Sequence, residues 1–281
     1  MTLRNPALMA ILQCPSCAAA LQDLGDELLC GSGHRFPVVQ GVPVFTSAGR
    51  DVEVRPDDHI SNPPPADGVA LQVGSGGPWL HIGAGQSEAR LDHCIEVETA
   101  IFRHTDLVAN GAALPIRTAS LYGCLAVNVF EHLREPDKTV AELARTIVPG
   151  GWVDISTAFL QPLHADPGHY FNVTDLGLRE WFSDFDIATV AVPYEYHPAL
   201  ALGWQVSDLL FWSPPHLRER LGKLTLDEIA DFWRDPPSRE KAAFQAFMEF
   251  PEARKRILAA GFRLIAQSPG VRTASDELPE I

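Results

Sequence analysis

The feature that most constrains this chain is an apolar run that ends directly in glycines, Trp-Leu-His-Ile-Gly-Ala-Gly at residues 79–85. A buried strand that ends in Gly-x-Gly lets the backbone approach a ligand that any Cβ atom would push away. Glu96 and Glu98 lie at the end of the next apolar run, where one carboxylate can accept hydrogen bonds from both hydroxyls of a ribose. The pattern predicts a cofactor loop, and a second glycine cluster at residues 74–77 is the alternative position for it.

Short apolar runs alternate with helix-like stretches from about residue 69 onward, which is typical of an α/β fold with a parallel sheet. Pro136 begins a predicted helix whose apolar residues recur with the helical period, and the glycines at residues 150–151 end it. The predicted strands are residues 79–83, 94–98, 106–109, 123–127, 152–157, 185–192 and 262–266.

The composition is that of an ordinary soluble enzyme, and 281 residues are enough for one large core and a small second domain. A net charge of −14 argues against a surface for nucleic-acid phosphates, which needs clustered Lys and Arg. No run reaches the roughly 20 apolar residues that span a bilayer, and the N-terminus lacks a signal-peptide pattern. The five cysteines suit a reducing compartment, so we expect a cytoplasmic protein without a membrane partner.

Four potential metal ligands, Cys14, Cys17, Cys30 and His34, lie close together near the N-terminus. Two knuckles with Cys-x2-Cys and Cys-x3-His spacing can close a tetrahedral zinc site with three thiolates and one imidazole. So small a segment lacks a core of its own, and a structural Zn²⁺ would supply the missing folding energy. A redox-active Cys-x-x-Cys and unligated buried thiols are the alternatives.

These patterns predict three parts of the chain. Residues 1–50 form a zinc-binding ribbon, residues 51–68 a linker, and residues 69–281 the α/β domain. The linker is predicted from its aspartates and from the Pro63–Pro65 run, a composition typical of extended and exposed chain.

Five short motifs follow one another between residues 81 and 151. They are His81–Gly85, Ile95–Glu98, Asn110–Pro115, Asn128–Leu133 and Val148–Gly151. In this order they resemble class I S-adenosylmethionine-dependent methyltransferases of the type 11 subgroup, which implies a Rossmann-like sheet that binds S-adenosyl-L-methionine. The N-terminal ribbon is similar to the zinc ribbons of small proteins that partner methyltransferases, and to the zinc module of large-subunit rRNA guanine methyltransferases.

The spacing of the first two motifs favours S-adenosylmethionine over a dinucleotide. Glu98 follows Gly83 by only fifteen positions, which leaves little room for the crossover helix whose N-terminus holds a pyrophosphate. The resemblance implies that Gly83 and Gly85 lie against the methionine part of the cofactor. It also implies that Glu98 binds the ribose hydroxyls, with Glu96 as the alternative because both project from the same face of the strand.

The resemblance implies further contacts on the adenine side. Asn110 stands where the family often has an Asp that accepts from the adenine amino group, and its amide oxygen can still accept. Leu114 would line the adenine pocket, and Asn128 would touch the cofactor just after the fourth strand. Tyr122 stands where the family commonly has Asp, so a non-catalytic scaffold stays open as a hypothesis.

The segment after the fifth strand, residues 158–174, is rich in His, Tyr and Asn where class I enzymes usually present residues to the acceptor. A neutral imidazole is the natural base for a hydroxyl acceptor near physiological pH. We therefore predict His164 and His169 as candidate bases and Tyr170 as a positioning residue. The alternative is that the histidines only fix this loop by hydrogen bonds.

Residues 199–255 are predicted to be a helical insertion near the C-terminus, rich in aromatic side chains and divided by prolines into short helices. The insertion would form a lid or a dimer surface over the acceptor pocket, or it would pack on the flank of the sheet. A homodimer is therefore one expectation from the sequence.

The resemblance leads to one main hypothesis about function. The chain is expected to methylate a small molecule or sugar, at oxygen, in a specialised biosynthetic pathway. An RNA methyltransferase with a zinc recognition module is the alternative, against which the acidic balance argues.

Overall fold

The computed structural model describes residues 3–55, 76–87, 90–165, 167–234, 245–246, 248–251, 254 and 258. The chain divides into two units, Met1–His197 and Pro198–Ile281. The first unit contains two sheets, and the second is helical in the part that the structure describes.

The N-terminal residues 3–50, here named the ribbon, contain a four-stranded antiparallel sheet. Its strands are β1 (Leu21–Asp23), β2 (Glu27–Cys30), β3 (Arg35–Val39) and β4 (Val42–Pro43), paired in chain order. Gln40 and Gly41 form the tight turn between β3 and β4, and both have the positive φ that such a two-residue hairpin turn requires.

A five-stranded parallel sheet forms the rest of the first unit's framework. Its strands are β5 (Trp79–Ile82), β6 (Cys94–Glu98), β7 (Leu107–Val108), β8 (Leu121–Val127) and β9 (Ile147–Ser156), in the spatial order β7-β6-β5-β8-β9. All neighbouring pairs are parallel, so the five strands end at one edge. Counted from β5, this is the 3-2-1-4-5 order of Rossmann-like sheets. The predicted fold class is confirmed.

Strand β5 lies in the middle of the sheet, and its sequence explains why. All four of its residues are buried, as expected for a parallel strand that is covered on both faces. The Trp79 ring lies against Gly123, its partner residue on β8, and a Cβ atom at position 123 would overlap that ring. The absence of a side chain at Gly123 therefore makes room for the tryptophan.

Strands β5 to β8 lie where the sequence predicts them, with ends that differ by one or two residues. Strand β9 begins at Ile147, earlier than predicted, so Pro149 and Gly150 are part of the strand instead of a turn before it. Gly150 has a φ of 79°, and the register between β8 and β9 shifts nearby. This local irregularity accommodates a proline inside a strand.

The predicted strand at residues 185–192 is wrong, because the structure has no strand there. Most of this segment is exposed, and Val192 keeps 70% of its surface accessible. Aromatic and β-branched residues favour a strand where their side chains pack on a half-buried sheet surface beside a neighbouring strand. Residues 185–192 pair with no strand in the described part of the chain. The predicted strand at residues 262–266 lies outside the described residues.

The connections between strands are short. Helix α1 (Pro136–Thr146) joins β8 to β9 and begins at the proline that the sequence predicts. Residues 83–87 and 90–93, between β5 and β6, contain no helix, in agreement with the short spacing. Helix α2 (Asp175–Trp181) follows β9, and the Thr174 hydroxyl caps it by accepting the N–H of its third residue.

Backbone pairing joins the ribbon to the parallel sheet and its loops. Three isolated bridges connect Leu12 with Ile116, Val44 with Val108, and Val54 with Ile101. Hydrogen bonds flank these bridges, such as the one from the Phe45 N–H to the Val108 carbonyl at 2.8 Å. The first residues of the predicted linker are thus paired, whereas residues 56–68 lie outside the described residues.

The ribbon and the parallel sheet also share one hydrophobic core. The ribbon contributes Leu8, Leu12, Leu28 and Val38 to a buried cluster that contains residues of β5, β6 and β8. Leu12 and Leu28 have no accessible surface. The ribbon therefore covers apolar surface of the α/β part, and its burial contributes to the stability of both.

The second unit is helical over its described residues. Helices α3 (Pro198–Trp212), α4 (Pro215–Leu221) and α5 (Leu226–Arg234) follow one another with short connections. The Arg218 guanidinium donates to the carbonyls of Leu210 and Phe211, which are among the last carbonyls of α3. None of the described helices has the length and apolarity to cross a membrane. A role as lid or dimer surface stays a prediction.

We predict that Gly123→Ala destabilises the first unit, because the new methyl group would overlap the buried Trp79 ring and strain two central strands. Overpacking of this kind costs about 1–3 kcal/mol. The measurement is the free energy of unfolding in urea, followed by tryptophan fluorescence. Gly31→Ala is the control, since no atom lies within 4 Å of its Cβ position. Equal losses of stability in the two variants would contradict this packing.

Candidate functional site

The four predicted metal ligands of the ribbon come together in space. The Sγ atoms of Cys17 and Cys30 are 3.8 Å apart, and His34 Nδ1 lies between 3.2 and 3.7 Å from the three sulfurs, including that of Cys14. Around one Zn²⁺ with bonds of about 2.0–2.3 Å, the corners of a tetrahedron stand roughly 3.5–3.8 Å apart. The observed spacings therefore fit a single zinc ion.

Two tight turns position these ligands. In the first, the Ala18 N–H donates to the Cys14 carbonyl at 2.8 Å, and Ala18 has a φ of 56°. In the second, the Gly33 N–H donates to the Cys30 carbonyl at 2.9 Å. The His34 N–H also donates to Cys30 Sγ at 3.3 Å, the kind of hydrogen bond that orients and stabilises a metal-bound thiolate.

The local environment of Cys17 favours its thiolate. Hydrogen bonds from the Ser32 side chain and the Ala19 backbone lower the pKa of the Cys17 thiol to about 6. Zinc binds thiolates, so this environment suits a metal ligand. Four protein ligands fill a tetrahedral site, and such a site is structural because it has no open position for catalysis.

A second group of predicted site residues lies at the carboxyl edge of the parallel sheet. Gly83, Glu98, Asn110 and Asn128 lie at or just after the ends of β5, β6, β7 and β8. Because the strands are parallel and adjacent, these four residues leave the sheet on the same side. Open α/β sheets bind their ligands at this edge.

The loop after β5 turns tightly towards β6. Gly83 has a φ of 68° and donates its N–H to the Val97 carbonyl at 2.9 Å. A Cβ atom at Gly83 would overlap the Val129 side chain. Gly85 has a φ of 60°, and its N–H donates to the Glu98 carboxylate. Both glycines therefore adopt a conformation that other residues rarely adopt.

Glu98 is an acid at this edge whose pKa the fold changes strongly. Burial raises the pKa of Glu98 to about 7, although the N–H groups of Gly85 and Thr99 act in the opposite direction. The two oxygens of a carboxylate accept about four hydrogen bonds, and these two N–H groups supply only part of that number. A ligand with two neighbouring hydroxyls, such as a ribose, would complete the set, so the donor chemistry fits S-adenosylmethionine.

Glu96 belongs to a separate buried network. The Ser87 hydroxyl donates to its carboxylate at 3.1 Å, and its backbone N–H donates to the Asp106 carboxylate at 3.0 Å. Arg90 forms an ion pair with the same aspartate. Burial raises the pKa of both Glu96 and Asp106. Glu96 Oε2 has no hydrogen-bond partner in the described part of the chain, but the residue is almost completely buried, whereas Glu98 is half-buried at the end of β6. Glu98 is therefore the better candidate for a ligand contact.

Asn110 and Leu114 flank the 3₁₀ helix Gly111–Ala113 after β7. Asn110 Oδ1 accepts from the Ala112 N–H at 3.0 Å and so caps this helix, while the residue itself is exposed. Leu114 is buried in the core, and its N–H donates to the Glu142 carboxylate at 2.7 Å. The adenine contacts implied for both residues stay predictions.

Asn128 has a partner that the sequence analysis missed. It follows β8 with a φ of 54°, and its side-chain oxygen accepts a hydrogen bond from the Tyr196 hydroxyl. Burial raises the pKa of the Tyr196 phenol, which is therefore a donor at neutral pH. No local pattern marks Tyr196, because its partner is distant in the sequence.

Three histidines and a glutamate meet beside this edge, and we name Glu131, His132, His164 and His169 the histidine cluster. The ring centroids of His164 and His169 are 4.4 Å apart, and His132 lies 5.0 and 5.5 Å from them. Glu131 and His132 lie in a 3₁₀ helix after β8, whereas the other two follow β9. The structure thus brings the two predicted histidines together with two further residues.

Carbonyl groups fix the protonation of two of these rings. His132 Nδ1 lies 2.9 Å from the Gly168 carbonyl, and His164 Nδ1 lies 2.9 Å from the Pro162 carbonyl. Because a carbonyl only accepts, each Nδ1 carries the hydrogen, and Nε2 carries the lone pair of the neutral ring. Burial lowers the pKa of His164, which favours this neutral form.

His169 uses both of its ring nitrogens within the loop. Its Nδ1 accepts from the His164 N–H at 3.2 Å, and its Nε2 donates to the Asn172 side-chain oxygen at 2.9 Å. Tyr170 is exposed, with the Arg134 guanidinium over its ring. The roles of all three predicted residues stay predictions.

Glu131 belongs to the Asn128–Leu133 motif, for which the resemblance implies a cofactor-side or helix-capping role and no role as a metal ligand. It is completely buried, and one carboxylate oxygen accepts from the Thr157 hydroxyl at 2.9 Å. Its other oxygen, Oε1, has no hydrogen-bond partner within the described part of the chain. Its position directly after the fourth strand of the sheet is the signal that could have indicated it.

Comparison with known proteins bears on this edge. Residues 83–155 match the family described as a methyltransferase domain. This segment of the chain is similar to a methyltransferase domain. The match begins at the first glycine of the loop after β5 and ends in β9, so the matched segment includes Glu98, Asn128 and Glu131.

Two other comparisons do not extend this similarity. No curated protein matches the chain. One solved chain that is similar in structure belongs to the complex between the Haloferax volcanii Trm112 methyltransferase activator and a protein described as a methyltransferase. It is 14% identical, covers 47% of this chain and 80% of its own, and has a TM-score of 0.33. A likeness this weak carries no argument about activity or partner.

We predict that the ribbon binds about one equivalent of zinc, because the four ligand atoms stand at tetrahedral spacings. Metal analysis of the purified protein should find one equivalent less in the Cys14→Ser/Cys17→Ser variant than in the wild type. Cys94→Ala is the control, since this buried cysteine of β6 lies outside the cluster. A wild type that is folded and free of zinc would refute the site.

We predict that Glu98→Gln stabilises the cofactor-free protein above pH 7. Since the folded pKa is raised from 4.5 to about 7, the folded state binds this proton more tightly. The resulting stability is complete below pH 4.5 and is lost as the pH rises through 7. The amide avoids the loss, which is worth about 1–3 kcal/mol. Urea unfolding at pH 5 and pH 8.5 measures it.

The control for this prediction is Glu180→Gln, which neutralises an exposed carboxylate on α2. Its stability relative to the wild type should not depend on pH over the same interval. If the Glu98→Gln variant shows the same flat profile, the Glu98 carboxylate is not buried as described.

Proposed function

We propose that this protein is an S-adenosylmethionine-dependent methyltransferase that acts on an oxygen atom of a small molecule or sugar. The observation that carries the proposal is the glycine turn that closes onto the Glu98 carboxylate inside the segment that is similar to a methyltransferase domain. S-adenosylmethionine supplies an electrophilic methyl group on a sulfonium ion when it is bound. The chain has to hold this cofactor, align the acceptor and accept its proton.

The cofactor side of the proposal rests on the carboxyl edge. Glu98 would accept from the ribose hydroxyls, because its oxygens keep acceptor capacity beyond two N–H groups. Gly83 and Gly85 would lie against the methionine part, where they offer backbone without a Cβ atom. Asn110 and Leu114 would face the adenine, and Asn128 would complete the contacts from the end of β8.

The acceptor side of the proposal rests on the histidine cluster. A hydroxyl group must lose its proton when it is methylated, and a neutral imidazole can accept it. His164 is the proposed base because its Nδ1–H is engaged with a carbonyl and its Nε2 carries the lone pair. His169 would hold His164 in place, because His169 Nδ1 accepts a hydrogen bond from the His164 backbone N–H. Tyr170 would position the acceptor.

The acceptor class is proposed from charge. The net charge of −14 makes long-range attraction of a polyanion unfavourable, so a small acceptor is favoured over RNA. Salt-sensitive binding of structured RNA would contradict this part of the proposal. It would leave the cofactor side unaffected.

Calorimetric titration with S-adenosylmethionine tests the cofactor side. We expect binding by the wild type and at least a tenfold loss in Glu98→Ala, since hydrogen bonds to a charged group contribute about 1.5–3 kcal/mol. Glu96→Gln is the matched control, because this residue of the same strand faces the buried network instead.

Two outcomes of this titration decide against the proposal. Absence of S-adenosylmethionine binding by the folded wild type would contradict the enzyme. An equal loss in both variants would show that the effect comes from disturbance of β6 and not from a contact made by Glu98.

A further inference from the structure

The histidine cluster contains a donor set that base catalysis alone does not explain. A carboxylate oxygen of Glu131 and one ring nitrogen each of His132 and His164 lie within 4.8 Å of one another. Glu131 is completely buried, and its Oε1 has no hydrogen-bond partner within the described residues. A buried carboxylate oxygen without a partner costs free energy, so a ligand that occupies this place would stabilise it.

We propose that Glu131, His132 and His164 bind a divalent first-row transition metal ion, at a site distinct from the ribbon. Two imidazole nitrogens and one carboxylate oxygen form a set that suits Zn²⁺, Fe²⁺ or Co²⁺, whereas Mg²⁺ and Ca²⁺ prefer oxygen ligands alone. Three protein ligands leave at least one position open for a substrate or water.

The surroundings of the three residues support this assignment. Metal-bound histidines donate their second ring N–H to a carbonyl or carboxylate, which orients the ring. His132 and His164 do so towards the Gly168 and Pro162 carbonyls, and in each ring Nε2 is then the nitrogen with the lone pair. The second oxygen of the Glu131 carboxylate is held by the Thr157 hydroxyl. Each ligand is thus oriented from outside the cluster.

Secondary structure also fixes the relative positions of the donors. Glu131 and His132 lie in the 3₁₀ helix directly after β8, and the loop that carries His164 is held against that helix. The Tyr170 N–H donates to the Glu131 carbonyl at 2.7 Å, which ties this loop to the helix backbone. The three donors are therefore positioned before any ion binds.

A bound ion would have one consequence for catalysis, and this consequence alone rests on the proposed function. An acceptor hydroxyl at the open position would lose its proton to solvent more readily, because a cation lowers the pKa of a bound oxygen. His164 would then act as a ligand, and the ion would replace it in activating the acceptor.

Titration of the full chain with Co²⁺, with the ribbon zinc in place, tests the site. Calorimetry should show one further equivalent, and its near-ultraviolet spectrum should lack thiolate-to-cobalt charge-transfer absorption, because the site has no sulfur ligand. Glu131→Gln keeps the size of the side chain but removes its charge, and we expect at least a tenfold loss of Co²⁺ affinity. His132→Asn should cause a similar loss, which covers the case that the first variant fails to fold.

His216→Asn is the control, since it removes an exposed histidine of α4. Its affinity for the further equivalent should equal that of the wild type. Absence of that equivalent in the wild type, or unchanged affinity in the Glu131 and His132 variants, would overturn the site. S-adenosylmethionine titration of the same samples separates the two proposals, because failure of cofactor binding contradicts the proposed function and leaves the measured metal site in place.

Discussion

The parallel pairing of β5 with β6 and β8 is the constraint on which the rest of the structure depends. The pairing places Trp79 against Gly123, and a shift of one residue would turn the tryptophan to the other face of the sheet. The same register determines where the chain leaves the sheet. Gly83, Glu98 and Asn128 therefore emerge together at one edge, although they are widely spaced in the sequence.

The carboxyl edge of the parallel sheet contains two carboxylates that lower the stability of the fold. Glu131 is a buried carboxylate with one oxygen that has no hydrogen-bond partner in the described part of the chain, and Glu98 is a half-buried carboxylate that accepts from two backbone N–H groups. An apolar residue of similar size would avoid the desolvation of a charged group. Glu98 ends β6 and Glu131 follows β8, the strands on either side of β5, so both acids lie where ligands of such sheets bind.

Local patterns predicted the parts of the fold that local physics determines. The Cys/His spacing, the central strands and α1 each carry a complete signal within a short window, and all are present. Residues 185–192 have strand propensity, but no strand pairs with them in the described part of the chain. Propensity depends on the residues themselves, so it cannot show that a neighbouring strand is absent. Pro149 reads as a stop, but the positive φ of Gly150 lets β9 continue through it. Glu131 and His164 come together because the segments after β8 and β9 fold towards each other. No short segment of the sequence contains both residues, so a local pattern could not predict this contact.

The shared core of the ribbon and the parallel sheet has a consequence for how separable the two are. Leu12 and Leu28 bury their side chains in the same cluster as the central strands, and the Leu12–Ile116 bridge continues the contact through the backbone. A chain that began at residue 69 would expose this apolar surface to water, and it would tend to aggregate instead of folding as a smaller protein. If the ribbon binds the predicted zinc ion, that ion would stabilise the whole first unit, and the ribbon could not be exchanged between proteins as an independent module.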